Sequence, residues 1–360
     1  MSNKKALIAM SGGVDSSVAA YLMQQAGFDC VGGTMLLTDC IPGADCHAEE
    51  NIRRASAVAK RLGIPFHVFS FSREFRQYVM EPFVSCYESG GTPNPCVECN
   101  KHLKFRLLLD KAMELGCDYI VTGHYVKIQK DPDTGRYLLF RAEDLAKDQS
   151  YFLYSLTQEQ LSRTLFPLSA LSKEQVREIA DAQHFVNAQQ RDSQDICFIP
   201  DGDYAAFMER YRGAAYPQGD FLDTDGKVVG KHKGAVAYTL GQRKGLGLAM
   251  GQPVYVCGKD MEANTVTVGP EENLFHTTLL AKDWNFFPFD RLTAPISVKA
   301  KARYRHTPQD AVAYPLENGM VKVVFEKPQR ALTPGQAVVL YQEDMVVGGG
   351  TITEILGNSE

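Results

Sequence analysis

The sequence predicts an α/β protein, in which a domain built on a parallel sheet is followed by a small β-rich domain and a C-terminal β-barrel. Two observations carry this prediction. From residue 5 to about 125, short apolar runs alternate with amphipathic segments of helical periodicity, which is typical of a mainly parallel sheet with helices on both faces. After about residue 204, glycines become frequent and short β-branched runs replace the helices. We therefore expect three domains, spanning residues 1–203, 204–274 and 275–360.

The elements of the first domain follow from its periodicity. The apolar runs predict strands at 6–10, 29–37, 66–71 and 118–122. The amphipathic segments predict helices at 17–26, 48–62, 75–90 and 104–115, with further helical segments at 158–161 and 173–183. Ligands of such sheets bind outside the carboxyl ends of the strands. The segments 11–17 and 123–124 follow strands directly, so they are the candidate binding loops.

The last domain has the pattern of antiparallel β structure. Three of its segments, SVKAKARYRH, MVKVVFE and AVVLYQ, lie between residues 279 and 355 and alternate apolar with polar residues. This alternation favours a barrel or a sandwich with one buried face.

Composition limits the classes of protein to which the chain can belong. With 360 residues, 44% of them apolar and 22% charged, it is long enough for two or three globular domains. It has no run of 18 apolar residues, and only five stand between Lys5 and Ser11, so we expect a cytoplasmic protein with no membrane partner. Nine cysteines, an odd number, argue against a secreted disulfide framework. With a net charge of −5, a nucleic-acid partner would need a local basic patch.

The loop between the first predicted strand and helix has the residues that a phosphate site needs. Its sequence is SGGVDSS, residues 11–17. Glycines let backbone N–H groups approach an anion, and the following helix adds its positive amino terminus. The segment lacks the lysine of a Walker-type loop. For a bare Ser-Gly-Gly, the alternative is an ordinary glycine turn before a serine-capped helix.

The full heptapeptide resembles the pyrophosphatase loop, or PP-loop, of enzymes that cleave ATP between its α and β phosphates to adenylate a substrate oxygen. Five further segments follow it: TPNPCVECNKHLKF from residue 92, TGHY from 122, KDQSYFLY from 147, DSQDICFI from 192 and TLGQRKGLG from 239. Together they resemble the tRNA-specific 2-thiouridylases, the MnmA family, over nearly the whole chain. The resemblance implies an adenine-nucleotide alpha-hydrolase-like (PP-loop) fold for the first domain.

The resemblance also implies a reaction and the residues for it. The reaction is ATP-dependent 2-thiolation of the wobble uridine (position 34) of tRNA, by adenylation of the uracil C2 oxygen and sulfur transfer from a cysteine persulfide, with release of AMP and pyrophosphate. The implied ATP-binding residues are Ala9, Met10, Ser11, Gly12, Gly13, Val14, Asp15, Ser16, Met35 and Gly123, with Asp15 also helping to hold Mg²⁺. The implied tRNA-binding residues are Asn94, Pro95, Cys96, His124, Lys147, Asp148, Gln149, Arg303, Tyr304 and Gln336. The implied partners are the anticodon stem-loop of tRNA and an upstream protein that donates persulfide sulfur, and we expect a monomer.

Two cysteines are the catalytic candidates. The resemblance places the persulfide on Cys197 and makes Cys99 its partner, which releases the sulfur or closes a disulfide. Cys99 stands near an expected helix start and ahead of the basic residues of segment 101–104, so we expect a lowered pKa for its thiol. Cys197 follows Asp192 and Asp195, which by themselves would raise its pKa.

Cys96 departs from the family pattern, because many members carry aspartate there, with a base-like role toward the uracil. This chain has a Cys-x-x-Cys pair instead. If the fold brings Cys197 close, Cys96, Cys99 and Cys197 would form a ligand set for a [4Fe–4S] cluster with one open iron, and zinc is the alternative metal. A second candidate metal motif has looser spacing, so an ordinary loop is the preferred interpretation; it comprises Cys40, Cys46 and His47.

One segment of the last domain is expected to contact RNA. Its basic residues recur at every second position, which in a strand places four cations on one face. Without counter-charges these cations repel one another and favour a phosphate partner, whereas a solvated face is the alternative. The four are Lys299, Lys301, Arg303 and Arg305, and a second basic patch comprises Lys231, Lys233, Arg243 and Lys244.

Two other functions are compatible with the sequence. A synthetase that shares the loop, adenylates a small metabolite and transfers nitrogen would leave the cysteines and the basic segment without a role. A non-catalytic tRNA-binding protein would use Cys96, Cys99 and Cys197 to sense metal or redox state. Pyrophosphate release that depends on tRNA separates both from the thiolation hypothesis.

Overall fold

The computed structural model describes residues 4–37, 48–190 and 196–357. The first 190 residues contain, in chain order, the strands β1 (Lys5–Ala9), β2 (Asp29–Leu36), β3 (Phe66–Ser70), β4 (Tyr119–Val121), β5 (Val126–Lys130), β6 (Tyr137–Arg141) and β7 (Thr164–Leu165). Their helices are α1 (Val14–Gln25), α2 (Ala48–Leu62), α3 (Ser72–Phe75), α4 (Glu81–Glu88), α5 (Pro95–Glu98), α6 (Leu108–Glu114), α7 (Gln158–Ser162) and α8 (Lys173–Ala182).

The N-terminal domain is a five-stranded parallel sheet in the order β3-β2-β1-β4-β7. The central strand β1 has Ala6, Leu7 and Ile8 fully buried, as expected of a strand covered on both faces. The strand order reverses beside β1, since β2 lies on one side and β4 on the other. The predicted parallel sheet is confirmed, and the crevice at this reversal is the place where such folds bind ligands.

Two predicted helices begin earlier than expected. The helix expected at 75–90 starts at Ser72 and runs through a π-helical segment, Arg76–Met80, into α4. The helix expected at 104–115 starts at Pro95 and runs through the π-helical segment Cys99–Leu107 into α6. A proline suits the first helical position, because its φ is preset and its missing N–H would be unpaired there. The Cys-x-x-Cys pair therefore lies on the first turns of a helix, not ahead of it.

The middle domain begins with a helix that the sequence pattern did not predict, α9 (Tyr204–Arg212), which Asp203 caps through the N–H of Ala206. Four strands follow: β8 (Gly219–Leu222), β9 (Val228–His232), β10 (Tyr255–Asp260) and β11 (Thr265–Gly269), in the order β10-β11-β8-β9. Arg212 of α9 pairs with Glu81 and Glu88 of α4, which fastens this domain to the first.

The C-terminal domain is a closed, six-stranded antiparallel barrel, which confirms the predicted architecture. Its strands run in the order β12-β15-β14-β13-β16-β17, and a further pairing of β12 with β17 closes it. The six are β12 (Phe275–Phe286), β13 (Ile296–Lys301), β14 (Gln309–Pro315), β15 (Val321–Arg330), β16 (Ala337–Gln342) and β17 (Met345–Leu356).

A hairpin of the N-terminal domain joins this barrel. Strands β5 and β6 pair with each other, and β6 continues the sheet at β17, with Phe140 opposite Met345 and Leu139 opposite Val346. The hydroxyl of Tyr151 also donates to the carbonyl of Ala337, at 2.9 Å. The barrel is thus attached directly to the β5–β6 hairpin, which lies between the loop after β4 and the KDQ segment. Within the described residues, no helix combines the length and the apolar character needed to cross a membrane.

Candidate active site

The loop after β1 has the geometry of an anion site. Gly12 has a φ of +81°, and a Cβ there would lie 2.5 Å from the carbonyl oxygen of Asn51 in α2, so only glycine fits. Gly13 precedes α1 and caps it without a side chain. The hydroxyls of Ser16 and Ser17 donate to the Gly13 carbonyl at 3.0 and 3.1 Å. The first N–H groups of α1 therefore have no side-chain cap, which suits a phosphate ligand.

The loop after β4 packs against the start of α1. A Cβ at Gly123 would lie 2.8 Å from the backbone of Asp15 and Ser16, so the two loops touch because this residue has no side chain. Met35, near the end of β2, is half-buried at the same edge of the sheet. The remaining members of the predicted nucleotide set vary in exposure: Met10 and Val14 are buried, Ala9 is half-buried and Ser11 is exposed.

The carboxylate of Asp15 has two partners that the sequence reasoning missed. Its Oδ1 accepts a hydrogen bond from Lys173 Nζ and another from the hydroxyl of Tyr125, each at 2.7 Å. Lys173 is the first residue of α8 and only 5% exposed. Tyr125 stands within the TGHY motif, but nothing local in the sequence pairs Lys173 with a residue 158 positions earlier.

A buried asparagine holds the loop from the other side. Asn187 Nδ2 donates to the carbonyl of Gly12 at 2.7 Å and to the hydroxyl of Ser17 at 2.9 Å. These two bonds hold the backbone of the loop and the first turn of α1 together. The acidic residues Asp192 and Asp195 lie outside the described residues, as do Cys40, Cys46 and His47.

The three candidate thiols lie near one another, and each has a raised pKa. Cys99 is buried, whereas Cys96 and Cys197 each keep some solvent-exposed surface. Surrounding protein nevertheless removes much of the solvation of the Cys96 and Cys197 thiols. Burial, followed by the neighbouring thiols Cys99 and Cys96, raises the pKa of Cys197 to about 12. Burial also raises the pKa of Cys96 and Cys99, against the opposing charge of Lys104.

The expected low pKa of the Cys99 thiol is therefore wrong. The basic residue Lys104 does act in the expected direction, but the loss of solvation is the larger effect. For Cys197 the expected direction holds, although burial and thiol neighbours cause it within the described part of the chain.

The thiols do not fit a preformed metal centre. Among residues 4–37, 48–190 and 196–357, no group of three or more His, Cys, Asp or Glu side chains is arranged to hold a metal ion. A [4Fe–4S] cluster or zinc needs convergent cysteine ligands. The expected cluster ligands Cys96, Cys99 and Cys197 are close together without that convergence, and we derive no step through a cluster.

The TGHY and KDQ motifs are tied to each other. Gln149 Oε1 accepts a hydrogen bond from the backbone N–H of Tyr125 at 3.1 Å. Asp148 is buried and accepts from the hydroxyl of Ser150 at 2.8 Å, and burial raises the pKa of its carboxyl. Lys147 beside them is half-buried. The KDQ segment is therefore fixed in place rather than a free loop.

His124 lies under the surface and not on it. Its ring is buried near Phe105 and Phe166, and its Nδ1 lies 2.7 Å from the hydroxyl oxygen of Thr122. Burial, and next the charge of Lys104, hold the pKa of His124 well below its ordinary value. The imidazole is therefore neutral at neutral pH.

Residues of the barrel reach the same region. Gln336 donates to the carbonyls of Thr92 and Pro93, at 3.0 and 3.1 Å, immediately before the predicted uridine-binding residues Asn94 and Pro95. The ring of Tyr304, 36% exposed, lies with its centroid 4.3 Å from that of Phe152 in the KDQSYFLY segment. The barrel therefore forms one wall of the site.

The predicted row of four cations on one strand is wrong. Strand β13 ends at Lys301, so Arg303 and Arg305 lie beyond it, and Arg303 turns inward to donate to the carbonyl of Leu240 at 3.2 Å. Lys299 has a counter-charge, Asp310, at 2.7 Å. In the second predicted patch Lys231 is likewise paired, with Asp220. The alternation itself holds, since Val298, Ala300 and Ala302 are buried.

Comparison with known proteins agrees with this architecture. Family models match residues 4–201 as a tRNA methyl transferase HUP domain, 205–270 as a tRNA methyl transferase PRC-barrel domain and 276–352 as an aminomethyltransferase beta-barrel domain.

Curated relatives match over the full length. The tRNA-specific 2-thiouridylase MnmA of Clostridioides difficile (strain 630) is 47% identical, covering 98% of this chain and 99% of that protein. The protein of the same name from Clostridium perfringens (strain 13 / Type A) is 48% identical, covering 99% and 100%. Among solved structures, the U34-tRNA thiolase NcsA from Methanococcus maripaludis with its [4Fe-4S] cluster matches at 18% identity and a TM-score of 0.36, over 59% of this chain and 68% of that chain, which is too weak to support an inference. From the full-length matches, this chain belongs to the family of tRNA-specific 2-thiouridylases.

Proposed function

We propose that this protein is a cytoplasmic, monomeric enzyme that converts the wobble uridine (position 34) of tRNA to 2-thiouridine with ATP. The main support is one juxtaposition. The charge of Lys104 acts on all three candidate thiols and on His124. Gly123, which precedes His124 in the chain, packs against the glycine loop at Asp15. The nucleotide loop and the thiols are thus linked through the TGHY segment, which suits activation by ATP followed by sulfur transfer.

In the first step, the uracil C2 oxygen attacks the α phosphorus of ATP, the bond to the β phosphate oxygen breaks, and pyrophosphate leaves. The N–H groups of the loop from Ser11 to Ser16 and the amino terminus of α1 stabilise the leaving charge. The remaining nucleotide contacts come from Ala9, Met10, Gly12, Gly13, Val14, Met35 and Gly123.

Asp15 fits the role of a protein ligand for Mg²⁺. Its carboxylate oxygens are the ligand type that this ion prefers, and such sites usually take one or two carboxylates beside the substrate phosphates. Held by Asp15, Mg²⁺ would supply positive charge against the phosphates.

The proposed tRNA contacts are those that the family resemblance implies. Asn94, Pro95 and Cys96, together with Lys147, Asp148 and Gln149, surround the flipped-out uridine. His124 lies close to the tRNA. Arg303, Tyr304 and Gln336 bind the anticodon stem-loop, where the exposed ring of Tyr304 stacks on a base.

In the second step, the terminal sulfur of a persulfide on Cys197 attacks C2 of the activated uracil, and AMP leaves. The Cys99 thiolate then attacks Cys197 Sγ and breaks the S–S bond, whose electrons remain with the sulfur on C2. The products are 2-thiouridine and a Cys99–Cys197 disulfide, which an external thiol must reduce. A donor protein then supplies the next persulfide sulfur.

Nucleoside mass spectrometry tests this function. Unmodified tRNA is incubated anaerobically with ATP, Mg²⁺, a small-molecule persulfide and a thiol reductant, together with wild type, Cys99→Ser, Cys197→Ser or a control, Cys257→Ser, whose thiol lies in β10 of the middle domain. We expect 2-thiouridine from wild type and the control only, and tRNA-dependent pyrophosphate release from all four. 2-Thiouridine from Cys197→Ser, or pyrophosphate release that ignores tRNA, would contradict the proposal.

A further inference from the structure

The carboxylate of Asp148, in the KDQ segment, accepts hydrogen bonds from inside the protein. Asp148 is 6% exposed, and its Oδ1 accepts the backbone N–H groups of Ala142 at 3.3 Å and Ser150 at 3.2 Å. Its Oδ2 accepts the hydroxyl of Ser150 at 2.8 Å and lies 3.9 Å from Arg141 Nε. Neither oxygen therefore depends on RNA for a hydrogen-bond partner.

The donors to this carboxylate connect it with the barrel. Ser150 has one hydroxyl proton, which it donates to Asp148, so the hydroxyl of Tyr341 in β16, 3.3 Å away, donates to Ser150 Oγ. Arg141 donates its backbone N–H to the carbonyl of Asp344 at 2.8 Å, and its guanidinium carbon lies 5.8 Å from the ring centroid of Tyr341. Asp148 is thus a buried anion at the junction between the N-terminal domain and the barrel.

The same anion acts on a lysine of the barrel. Lys301 Nζ lies 5.1 Å from the ring centroid of Tyr304 and 5.7 Å from that of Tyr151, which is within the range of a cation–π contact. Burial lowers the pKa of Lys301, and the Asp148 carboxylate opposes that shift, whereas Arg141 adds to it. Asp148 therefore favours the charged ammonium that lies over the ring of Tyr304.

The buried position is unfavourable for the charge of Asp148. Burial raises the pKa of this carboxyl, against the hydrogen bonds from Ser150 and Ala142 and the charge of Arg141. The fold thus disfavours the ionised form, and a neutral side chain of the same shape should be tolerated at least as well. A role other than stability is therefore expected for the charge.

We propose that Asp148 is a positioning residue for tRNA binding. Its carboxylate holds Ser150 on the barrel and keeps Lys301 charged against the ring of Tyr304, which stacks on a base. The centroid of this ring lies 4.3 Å from that of Phe152, so its orientation depends on the segment that Asp148 fixes. The inference rests on the proposed function: Asp148 shapes the surface around the uridine from within the protein, without a contact of its own to the RNA.

Replacement of Asp148 by asparagine tests the role of its charge. A carboxylate near RNA repels the phosphates, so loss of the charge alone should strengthen tRNA binding. Under the proposal, Asp148→Asn should instead weaken it by about fivefold or more, because the ring of Tyr304 is no longer fixed. Asparagine keeps one oxygen for the two N–H groups, and the hydroxyl of Ser150 can turn to accept from its amide. The thermal midpoint should therefore stay within about 2 °C of wild type.

The matched control is Asp310→Asn, which removes a carboxylate from the same barrel. Asp310 lies in β14, is exposed and pairs with Lys299 at 2.7 Å. The tRNA affinity of this variant should equal that of wild type or be slightly higher, since only phosphate repulsion is lost.

A double-mutant cycle separates positioning from direct contact. If Asp148 acts through Tyr304, Asp148→Asn should change tRNA affinity by less than about twofold in the Tyr304→Ala background. A carboxylate that contacts the RNA would lose the same factor in both backgrounds. Tyr341→Phe cuts the same connection at Ser150 without a change of charge, and it serves if Asp148→Asn does not fold: it should weaken tRNA binding, and not in the Tyr304→Ala background.

The measurement is equilibrium binding of unmodified tRNA to the full chain at fixed moderate salt, with a thermal melt of each variant. Unchanged or stronger binding by Asp148→Asn, or an equal loss in both backgrounds, would overturn the proposal. A loss of affinity together with a large fall in the thermal midpoint would show a structural role and also contradict it. If wild type binds tRNA but makes no 2-thiouridine, the proposed function fails while the cycle still decides the role of Asp148. If wild type binds no tRNA, both fail.

Discussion

The nucleotide loop and the thiol centre differ in how far contacts within the protein fix them. In the loop, Gly12 adopts its required backbone conformation, Gly123 packs against Asp15, and Asn187 fixes the Gly12 carbonyl. In the thiol centre, Cys197 and Cys99 have raised pKa values and do not converge on a metal position within the described residues. Contacts within the protein fix the nucleotide loop, whereas no metal position organises the thiols within the described residues.

This difference matches the chemistry of the two steps. Pyrophosphate release needs fixed donors around a developing charge, and preorganised dipoles supply the most stabilisation. Sulfur transfer needs a thiol that stays unreactive until it has been loaded, because an exposed thiolate is readily oxidised. In the proposed reaction, the raised pKa of Cys197 would keep the unloaded thiol protonated.

The thiol half gives the largest expected effect. Because the pKa of Cys197 is raised to about 12, only the protonated thiol is populated at neutral pH, and alkylation of Cys197 by iodoacetamide should be roughly 10³-fold slower than that of free cysteine. The rate should rise about tenfold per pH unit through pH 10, since the thiolate fraction grows without saturating below the pKa. Peptide mass spectrometry at a series of pH values measures this.

Free cysteine provides the control, because its rate levels off once the pH passes its ordinary pKa. A Cys197 rate that levels off below pH 9 would show a stabilised thiolate and remove the contrast between the two halves of the site.

On the nucleotide side, Gly12→Ala should reduce ATP affinity by about 100-fold or more. Alanine must adopt a φ of +81° with its Cβ 2.5 Å from the Asn51 carbonyl oxygen, and the strain of a positive φ alone costs about 1–3 kcal/mol. Gly27→Ala is the matched control, because its φ is +82° and nothing lies within 4 Å of the added Cβ.

Calorimetric ATP titration of the two folded variants compares them. Equal losses of affinity would mean that the backbone geometry at Gly12 does not determine nucleotide binding. The claim that a fixed loop binds ATP would then be wrong.

The barrel wall gives an intermediate effect. Tyr304→Ala should weaken tRNA binding by roughly 1–3 kcal/mol, the usual value of a base stacked on an aromatic ring, and leave ATP affinity unchanged, whereas Tyr304→Phe should bind nearly as wild type. Tyr314→Ala is the matched control: Lys322 Nζ lies 5.1 Å from its ring centroid, as Lys301 Nζ does from that of Tyr304. Filter binding at fixed moderate salt measures both variants. Equal losses for Tyr304→Ala and Tyr314→Ala would exclude this ring as a specific RNA contact.

The sequence correctly predicted which residues are buried within a single helix or strand. The buried run of β1, the helix at 48–62 and the alternation of Val298 and Ala300 all appear in the structure, because periodicity reports which face of an element is covered. The same periodicity continues past Lys301, where strand β13 ends. The prediction that Arg303 lies on the exposed face of this strand was therefore wrong.

The sequence did not predict properties that depend on contacts between residues far apart in the chain. Lys173 and Asn187 reach the loop across 158 and 175 positions, respectively, and no spacing rule links such residues. The thiol pKa of Cys99 was predicted from neighbours in sequence, whereas burial by the whole domain decides it. The site was therefore predictable where one motif carries its residues, and not where the fold supplies their environment.

The smallest expected effect tests whether the hydrogen bonds from Asn187 contribute to the geometry of the nucleotide loop. Asn187→Ala removes two hydrogen bonds, to the Gly12 carbonyl and the Ser17 hydroxyl, and should lower stability by about 1–2 kcal/mol and ATP affinity by a few-fold. Asn285→Ala is its matched control, because Asn285 also donates two hydrogen bonds, at 2.6 and 2.9 Å, but to the carbonyls of Tyr154 and Leu156.

Thermal melts should therefore show similar losses of stability for the two asparagine variants, while ATP titration should separate them. A shared fall in ATP affinity would mean that general loosening of the fold, and not the anchor at Gly12, controls the loop. A fall confined to Asn187→Ala would mean that the hydrogen bonds from Asn187 to Gly12 and Ser17 set the geometry of the nucleotide loop.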